Sequence, residues 1–298
     1  VNPVLNEILE KNGLQITYEP EITPEQILEK IENFEVIIVR SRTKITKDMI
    51  EKANKCQIIA RVGVGLDNID QAAAKEKNIR VINAVEGAMN AVAELVIGLM
   101  LSLAREIPRA DREVRNGNWI KKELMGTELR GKYLGIVGLG NIGKRLGRLA
   151  RALNMNIIGY DVVPIDEEFS SEVGLMKADL GTLLASSDYV SLHVPLLDST
   201  KHLINSEKMS TMKNTSRIIN TSRGGVIDED ALYEFLKDGK LGGAALDVFE
   251  VEPATSNKLA SLPNFISTPH MGAQTKEAQS LAANVIAEKI IQILRGVT

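Results

Sequence analysis

The segment YLGIVGLGNIGKRLGRLARALNMNIIGYD, residues 133–161, predicts a strand, a helix and a second strand in immediate succession. YLGIVG and NIIGYD are short apolar runs of the length of a buried strand, and the residues between them show helical spacing of apolar side chains. Two strands connected by one helix lie parallel in the same sheet, because the helix carries the chain back to the starting edge. The segment therefore predicts an α/β fold built on a parallel sheet.

The turn after the first of these strands carries Gly138, Gly140 and Gly143 in the spacing G-x-G-x-x-G. The first glycine allows a tight turn, the second lets the backbone approach a pyrophosphate, and the third lets the helix pack closely on the strand. The N–H groups of Asn141 and Ile142 begin the helix, where its dipole favours an anion. We therefore predict a dinucleotide site.

Asp161 ends the second strand, at the distance expected of the acid that binds an adenosine ribose. A carboxylate there repels a 2′-phosphate, and residues 162–164 (VVP) contain no arginine to receive one. The expected cofactor is therefore NAD rather than NADP.

Composition restricts the class of protein. A chain of 298 residues with 44% hydrophobic residues suits two domains. The net charge of −3 is spread over interleaved acidic and basic residues, which favours small-molecule ligands and indicates neither a nucleic-acid nor a membrane partner. The apolar run at 91–104 is interrupted by Glu94 and falls short of the roughly 18 residues that span a bilayer.

Cys56 is the single cysteine of the chain, which excludes an internal disulfide and a cysteine metal cluster. We expect it to be a buried apolar side chain in a protein of a reducing compartment, the cytoplasm. No metal site is expected.

Apolar runs alternate with helical patterns along the chain, which predicts two Rossmann-like or flavodoxin-like domains with parallel sheets. TPEQILEKI begins a helix with Thr23 as N-cap and Pro24 in the first position.

Residues 1–87, completed by a C-terminal helix within 271–298, form a discontinuous outer domain, and residues 88–270 form the cofactor domain. The apolar helix at about 90–105 is expected to be buried between domains or subunits and to support a homodimer or higher homo-oligomer. The predicted strands are EVIIVR (35–40), CQIIARV (56–62), IRVINA (79–84), YLGIVG, NIIGYD, YVSLHVP (189–195), SRIINTS (216–222), GGAALDVF (242–249) and FISTP (265–269).

Chemically suitable side chains follow three of these strands. Ligands of a doubly wound sheet bind beyond the carboxyl ends of the strands, and Arg223, Glu252 and His270 come after three such ends. Imidazole exchanges an alcohol proton near pH 7, a carboxylate fixes its tautomer, and a guanidinium matches a substrate carboxylate. Together they predict the oxidation of a 2-hydroxy acid.

Three further polar residues have other interpretations. His193 and His202 are interpreted as structural histidines. Asp247 either orients the nicotinamide side of the cofactor or caps the following turn.

The motifs GLGNIG, HVPLLDST, INTSRGGVIDEDAL, GAALDVFEVEP and TPHMGAQTKEAQ occur in this order and resemble the D-isomer-specific 2-hydroxyacid dehydrogenase family over essentially the whole chain. The resemblance implies that His270 is the general acid/base, Glu252 its paired carboxylate and Arg223 the cation that orients the substrate. It further implies that the backbone at Val64 and Gly65 holds the substrate carboxylate. The implied cofactor contacts are Asn141, Ile142, Asp161, Thr221, Ser222, Asp247 and the backbone of Gly272 and Ala273.

VRSRTKIT (39–46), RVGVGLDNID (61–70) and LMGTELRGKYLGIVG (124–138) resemble most closely the members that oxidise 3-phospho-D-glycerate to 3-phosphohydroxypyruvate with NAD, at the start of L-serine biosynthesis. In these members Arg40, Ser41 and Arg42 are implied as phosphate contacts, although the residues alone favour a solvated rim. Two alternatives stay open. One is a glyoxylate or hydroxypyruvate reductase without a phosphate site, and the other is a non-enzymatic NAD-sensing corepressor.

The resemblance also carries expectations about the ends and the domains. The family has a strand ahead of the helix read in NPVLNEILEKNG, so the first domain is expected to be incomplete in this sequence. Because the sequence ends at Thr298, serine feedback through a C-terminal regulatory domain is not expected. The substrate is expected in a cleft between the domains. The residues alone explain no role for LMGTEL (124–129).

Overall fold

The computed structural model describes residues 3–296. The chain divides into two compact units, unit 1 (Val1–Ala91 with Ala273–Thr298) and unit 2 (Val92–Gly272). Each unit contains a sheet in which every pairing is parallel. The predicted α/β architecture with parallel sheets is confirmed.

The helices and strands follow one another along the chain much as the apolar patterns indicate. The helices are α1 (Pro3–Lys11), α2 (Pro24–Lys30), α3 (Lys47–Lys52), α4 (Gln71–Glu76), α5 (Val85–Arg105), α6 (Ile107–Arg115), α7 (Asn141–Ala152), α8 (Glu167–Val173), α9 (Leu180–Ser186), α10 (Ser206–Ser210), α11 (Glu229–Lys237) and α12 (Lys276–Leu294). The strands are β1 (Val36–Val39), β2 (Ile58–Arg61), β3 (Arg80–Asn83), β4 (Tyr133–Val137), β5 (Asn156–Tyr160), β6 (Met176–Lys177), β7 (Tyr189–Leu192), β8 (Arg217–Asn220), β9 (Gly243–Leu246) and β10 (Phe265–Ser267). Short 3₁₀ turns lie at Ile31–Asn33, Lys121–Glu123 and Lys258–Ser261.

The predicted start of α2 is confirmed. The Oγ1 of Thr23 accepts a hydrogen bond from the Gln26 N–H, and the Gln26 side chain accepts one from the Thr23 N–H, while Pro24 occupies the first turn. These two bonds satisfy N–H groups that have no partner within the helix, so a local sequence signal determines where the helix begins.

Unit 1 is a three-stranded sheet in the order β1-β2-β3. Successive side chains of β2 point to opposite faces. Ile58 therefore joins the apolar cluster that contains residues of α1 and α12, and Ile59 joins the cluster that contains residues of α2, α3 and α4. Beside β1, at the edge of the sheet, lies a groove of about 940 Å³ whose lining includes Leu14, Ile16 and Val36.

Unit 2 is a seven-stranded sheet in the order β10-β9-β8-β7-β4-β5-β6. The chain runs outward from β4 through β5 to β6, then returns beside β4 and runs outward in the other direction through β7 to β10. The strand order therefore reverses between β4 and β7, and the carboxyl ends of these two strands form the crevice in which doubly wound sheets bind ligands.

One strand of unit 2 was missed by the sequence prediction. β6 contains only Met176 and Lys177, which are exposed and pair with Ile158 and Gly159 at the edge of the sheet. Two exposed residues show no apolar periodicity, so the strand is defined by its pairing alone.

Helix α5 begins at Val85 rather than near residue 90. It has the length and apolar composition of a membrane span, but 56% of its apolar stretch is buried inside the fold. Val96 and Met100 have no exposed surface and belong to the core cluster of unit 2. The helix is thus largely buried, as expected, and its predicted position between domains or subunits stays a prediction.

The stretch LMGTEL, for which the sequence suggested no role, covers the end of α5. The Thr127 N–H donates to the carbonyl oxygen of Ala104 at 2.9 Å, and a Cβ added to Gly126 would lie 2.7 Å from the same oxygen. Leu129 then enters the core cluster of unit 2. The stretch satisfies a carbonyl that the helix itself leaves open, and only glycine permits this approach.

Candidate active site

The three candidate catalytic residues follow three adjacent strands of unit 2. Arg223 comes after β8, Glu252 after β9 and His270 after β10, and these strands are parallel neighbours. Their carboxyl ends therefore share one edge of the sheet. The loops are also in contact, because a Cβ added to Gly224 would lie 1.8 Å from the carbonyl oxygen of Phe249.

His270 and Glu252 form a direct pair. The Nδ1 of His270 lies 2.8 Å from the Oε2 of Glu252, and the Oε1 of Glu252 accepts a hydrogen bond from the Phe249 N–H at 3.2 Å. Since an ionised carboxylate only accepts, Nδ1 is the protonated nitrogen of the neutral ring and Nε2 keeps a lone pair. The side chains are 46% and 37% exposed, so a small molecule in solution can reach the pair.

The backbone of His270 has a φ of +50°, a conformation that is uncommon for a residue other than glycine. Asp247 holds this loop in place. Its Oδ1 accepts hydrogen bonds from the Thr268 hydroxyl at 2.6 Å and from the Met271 N–H at 2.8 Å, and its Oδ2 accepts one from the Gly272 N–H at 2.8 Å. Of the two roles left open for Asp247, this geometry favours the capping of a turn. Its predicted contact with the cofactor stays a prediction.

Asn220, at the end of β8, organises the loop that carries Arg223. The buried Nδ2 group donates to the carbonyl oxygen of Arg223 at 2.8 Å. Its Oδ1 accepts from the N–H of Ser222 at 3.0 Å and from the Ser222 hydroxyl at 2.7 Å. Ser222, a predicted cofactor contact, thus uses both donors within the protein. Asn220 was not among the predicted site residues, and its signal was a polar side chain at the end of an apolar strand.

Thr221 differs from its neighbour. Its Oγ1 atom is buried and has no hydrogen-bond partner within residues 3–296. Buried hydroxyls nearly always have a partner, so this one is available to a bound ligand.

The glycine turn has the geometry that a dinucleotide requires. Gly138 has a φ of +92°, and a Cβ added to Gly143 would lie 2.1 Å from the carbonyl oxygen of Gly138. A Cβ added to Gly140 would meet no atom within 4 Å, so the space in front of the first turn of α7 is open. The residues present therefore fit a pyrophosphate at the N-terminus of α7, which begins with Asn141 and Ile142.

Asp161 is tied to this turn. Its Oδ2 accepts a hydrogen bond from the Leu139 N–H at 2.6 Å, and its Oδ1 accepts one from the Val163 N–H at 3.1 Å. Each carboxylate oxygen has a second lone pair, which a ribose hydroxyl can use. The acid is thus held beside the glycine turn, as the binding of NAD requires.

The other two histidines have partners outside the catalytic pair. The Nε2 of His193 lies 2.8 Å from the Ser191 hydroxyl, and burial lowers the pKa of His193 to about 4. The Nε2 of His202 lies 3.1 Å from the Oε1 of Glu250. These contacts support the interpretation of both as structural histidines.

The predicted substrate residues lie in unit 1. Arg40 lines a cavity of about 40 Å³ together with Gly63 and Ala273. The Nδ2 of Asn68 donates to the carbonyl oxygens of Arg40 at 2.9 Å and of Thr43 at 2.6 Å, which fixes the loop after β1.

The other predicted substrate residues have different surroundings. Ser41 is exposed, and the carbonyl of Val64, beside Gly65, accepts a hydrogen bond from the Asn83 side chain. Arg42 is ion-paired with Glu21 at 3.0 Å and donates to the carbonyl oxygen of Pro20 at 2.6 Å. The Arg42 guanidinium is thus engaged within its own unit. Within residues 3–296 no group of three or more His, Cys, Asp or Glu side chains is arranged to hold a metal ion.

Known proteins resemble the chain over nearly its whole length. A D-3-phosphoglycerate dehydrogenase of Methanocaldococcus jannaschii is 48% identical over 290 residues, which are 97% of this chain and 55% of that protein. A hydroxypyruvate reductase of Thermotoga maritima is 46% identical over 290 residues, 96% of this chain and 93% of that protein. The chain thus spans about half the length of the phosphoglycerate dehydrogenase relatives that it matches.

Solved structures of similar proteins share the fold of this chain. The crystal structure of D-lactate dehydrogenase from Aquifex aeolicus, complexed with NAD and lactic acid, matches 99% of this chain and 93% of that one, with a TM-score of 0.87 and 31% identity. Residues 97–272, which include the glycine turn, Asp161 and the His270–Glu252 pair, match the NAD-binding domain of one family. The chain therefore belongs to the D-isomer specific 2-hydroxyacid dehydrogenases.

Proposed function

We propose that the protein is an NAD-dependent dehydrogenase that oxidises 3-phospho-D-glycerate to 3-phosphohydroxypyruvate. The observation that carries the proposal is the 2.8 Å contact between His270 and Glu252 at the sheet edge that also bears the glycine turn. The relatives named D-3-phosphoglycerate dehydrogenase, at 40–48% identity, support the choice of substrate.

His270 moves the proton. In the oxidative direction its Nε2 accepts the proton of the C2 hydroxyl, because Nδ1 already donates to Glu252. The Glu252 carboxylate then stabilises the imidazolium that forms. In the reductive direction the same Nε2 returns the proton.

Arg223 orients the substrate. Its guanidinium offers the planar pair of donors that a carboxylate accepts, and the positive charge stabilises the negative charge that develops on the C2 oxygen. The Asn220 amide holds the backbone of Arg223, so the guanidinium starts from a fixed position.

The N–H groups of Asn141 and Ile142 would hold the pyrophosphate of NAD, the Asp161 carboxylate would hold the adenosine ribose, and the Thr221 hydroxyl is a further donor. NAD, when bound, supplies the acceptor for the hydride that leaves C2. Ser222, Asp247, Gly272 and Ala273 complete the proposed contact set, although the N–H of Gly272 already donates to Asp247.

The phosphate of the substrate is assigned to Arg40, Ser41 and Arg42, and its carboxylate to the backbone at Val64 and Gly65. This part rests on the resemblance. Arg42 has to leave its ion pair with Glu21 to take this role, which makes Arg40 the first residue to test.

A second candidate function is the reduction of hydroxypyruvate. It is favoured by the Thermotoga maritima relative, because this chain covers 93% of that protein. Such an enzyme needs no phosphate site.

The test compares NADH formation from 3-phospho-D-glycerate, D-glycerate and D-lactate, with continuous removal of the product. We expect preference for the phosphorylated acid, and a loss of about 10³-fold in kcat for His270→Ala with NADH binding retained. Arg40→Ala should raise KM for the phosphorylated acid about tenfold and leave KM for D-glycerate unchanged. Equal activity on D-glycerate would favour the reductase, and NADH binding without turnover would favour a sensor protein.

Assembly and location belong to the same proposal. The segment from α5 to Met125 exposes large apolar side chains, which supports a homodimer. The proposed location is the cytoplasm, where a free thiol such as the buried Cys56 stays reduced.

A further inference from the structure

The side chain of Glu229 contacts the loop that carries Glu252 from outside. This loop runs from residue 247 to residue 257, between β9 and the 3₁₀ turn at Lys258–Ser261. Glu229, the first residue of α11, lies beside it and is half-buried. The proposed mechanism does not use Glu229.

The two carboxylate oxygens of Glu229 bind different sides of the loop. The Oε1 accepts a hydrogen bond from the Glu250 N–H at 2.6 Å, two residues before Glu252. The Oε2 accepts one from the Asn257 Nδ2 group at 2.6 Å, five residues after Glu252. We call these two hydrogen bonds of Glu229 the clamp. They lie on either side of Glu252, the residue that pairs with His270.

Two further bonds support the clamp. The Glu229 N–H donates to the Oε1 of Glu250 at 3.3 Å, so Glu229 and Glu250 bind each other reciprocally. The same Glu250 oxygen lies 3.1 Å from the Nε2 of His202. His202 and Glu229, from two other segments of unit 2, thus both bind Glu250 in the loop.

We propose that Glu229 is a positioning residue for Glu252, holding the loop so that the Glu252 carboxylate stays on Nδ1 of His270. The proposal rests on the proposed function for its effect on turnover. Its effect on the His270 ring follows from geometry alone.

The chemistry of the clamp requires a carboxylate. Both of its partners are donors, and a carboxylate offers two acceptor oxygens where a glutamine offers one. Rotation of the Asn257 amide by 180° would break a hydrogen bond, because its Oδ1 accepts one from the N–H of the buried Leu259 at 3.0 Å. Burial raises the pKa of Glu229, and the hydrogen bonds from the Glu250 N–H and the Asn257 side chain oppose this by favouring the carboxylate.

The clamp can be broken and rebuilt with reversed polarity. Glu229→Gln sets a side-chain NH₂ against the NH₂ of Asn257, and Asn257→Asp sets a second carboxylate against Glu229. In the double variant Glu229→Gln/Asn257→Asp, the glutamine NH₂ donates to the new carboxylate, which still accepts from the Leu259 N–H. Glu234→Gln, on the exposed side of α11 where Glu234 pairs with Lys237, is the matched control.

The kinetic test measures kcat and KM for the preferred 2-hydroxy acid. We expect each single variant to lower kcat about tenfold with little change in KM, and the double variant to recover to within about twofold of the wild type. In a Glu252→Gln background, Glu229→Gln should have no further effect on kcat, because its effect passes through Glu252. A full tenfold loss in that background would overturn the proposal.

The second readout needs no turnover. The chain has three histidines, so ¹⁵N signals of their rings are assigned with His193→Gln and His202→Gln. The His270 ring should show Nδ1–H in the wild type, a shift toward Nε2–H in Glu229→Gln, and recovery in the double variant. Unchanged His270 signals in a folded Glu229→Gln protein would refute the clamp. If the wild type oxidises no 2-hydroxy acid, the proposed function fails and these signals alone decide the positioning role.

Discussion

Asp247 shows how one buried charge can organise a reactive loop. It is 1% exposed, and an ionised carboxylate at such a site is costly unless hydrogen bonds compensate it. Three donors from residues 268–272 supply that compensation. The left-handed backbone of His270 is thereby maintained by a residue more than twenty positions earlier in the chain.

Replacement of Asp247 by asparagine tests this role. The new NH₂ group would face a backbone N–H, and a buried unsatisfied donor costs about 1–3 kcal/mol. We expect Asp247→Asn to lower the free energy of unfolding by that amount and kcat at least about tenfold. Thr268→Ser keeps the hydroxyl and serves as the control. A stable Asp247→Asn protein that had lost only its affinity for NADH would instead support a cofactor contact.

His193 predicts a pH dependence of stability. Its pKa is about 4 in the folded protein and near 6.5 when exposed, so between these values the unfolded chain binds a proton that the folded chain does not. The contribution of neutral His193 to the free energy of unfolding is therefore fully present above pH 6.5 and is lost as the pH falls toward 4. We expect roughly 1–2 kcal/mol of this loss between pH 7 and pH 5. In urea unfolding, His193→Gln should show a smaller loss than the wild type, and equal losses would contradict the assignment.

At the scale of elements, two glycines of the turn between β4 and α7 have different functions. Gly143 packs the helix against the turn, whereas Gly140 faces open space. The same residue type thus serves stability at one position and ligand access at the other.

Two alanine substitutions separate these functions. Gly143→Ala puts a methyl group 2.1 Å from a backbone carbonyl, so α7 must move, and we expect a loss of about 2–4 kcal/mol in the free energy of unfolding. Gly140 has φ −69° and ψ −163°, which alanine adopts without strain. Gly140→Ala should keep its stability but bind NADH about tenfold more weakly or worse. Tight NADH binding by Gly140→Ala would place the pyrophosphate elsewhere.

At the scale of the whole molecule, one stretch of unit 2 exposes several large apolar side chains. Trp119 and Met125 are 82% and 87% exposed, and Ile107 and Val114 on α6 are also exposed. A contiguous patch of large apolar side chains on a surface marks an interface. The homodimer is therefore proposed around α6 and residues 119–125, while most of α5 is occupied within the fold.

Sedimentation velocity checks this assignment. We expect the wild type to sediment as a dimer at micromolar concentration, and Val114→Glu/Trp119→Glu to sediment as a folded monomer, because two buried charges would face an apolar partner. The exposed Tyr18→Glu in unit 1 is the control. A monomeric wild type would contradict the proposed dimer.

Much of the fold follows from local patterns. The predicted strands are present with slightly shorter bounds, and the Thr23 cap and the glycine turn have the expected geometry. These features depend on the period of apolar residues and on backbone restrictions within a few positions, which a sequence displays directly. The placement of Arg223, Glu252 and His270 after strand ends was visible for the same reason.

The sequence by itself thus determined the parallel α/β fold, the glycine turn and the candidate catalytic residues. Three features were decided only by the tertiary structure. The Asp247 oxygens accept hydrogen bonds from the His270 loop, Glu229 connects Glu250 to Asn257, and β6 exists. Each of these depends on a hydrogen bond between residues that are distant in the chain. No local periodicity records such a bond, because it forms only when the sheet brings the two loops or strands together.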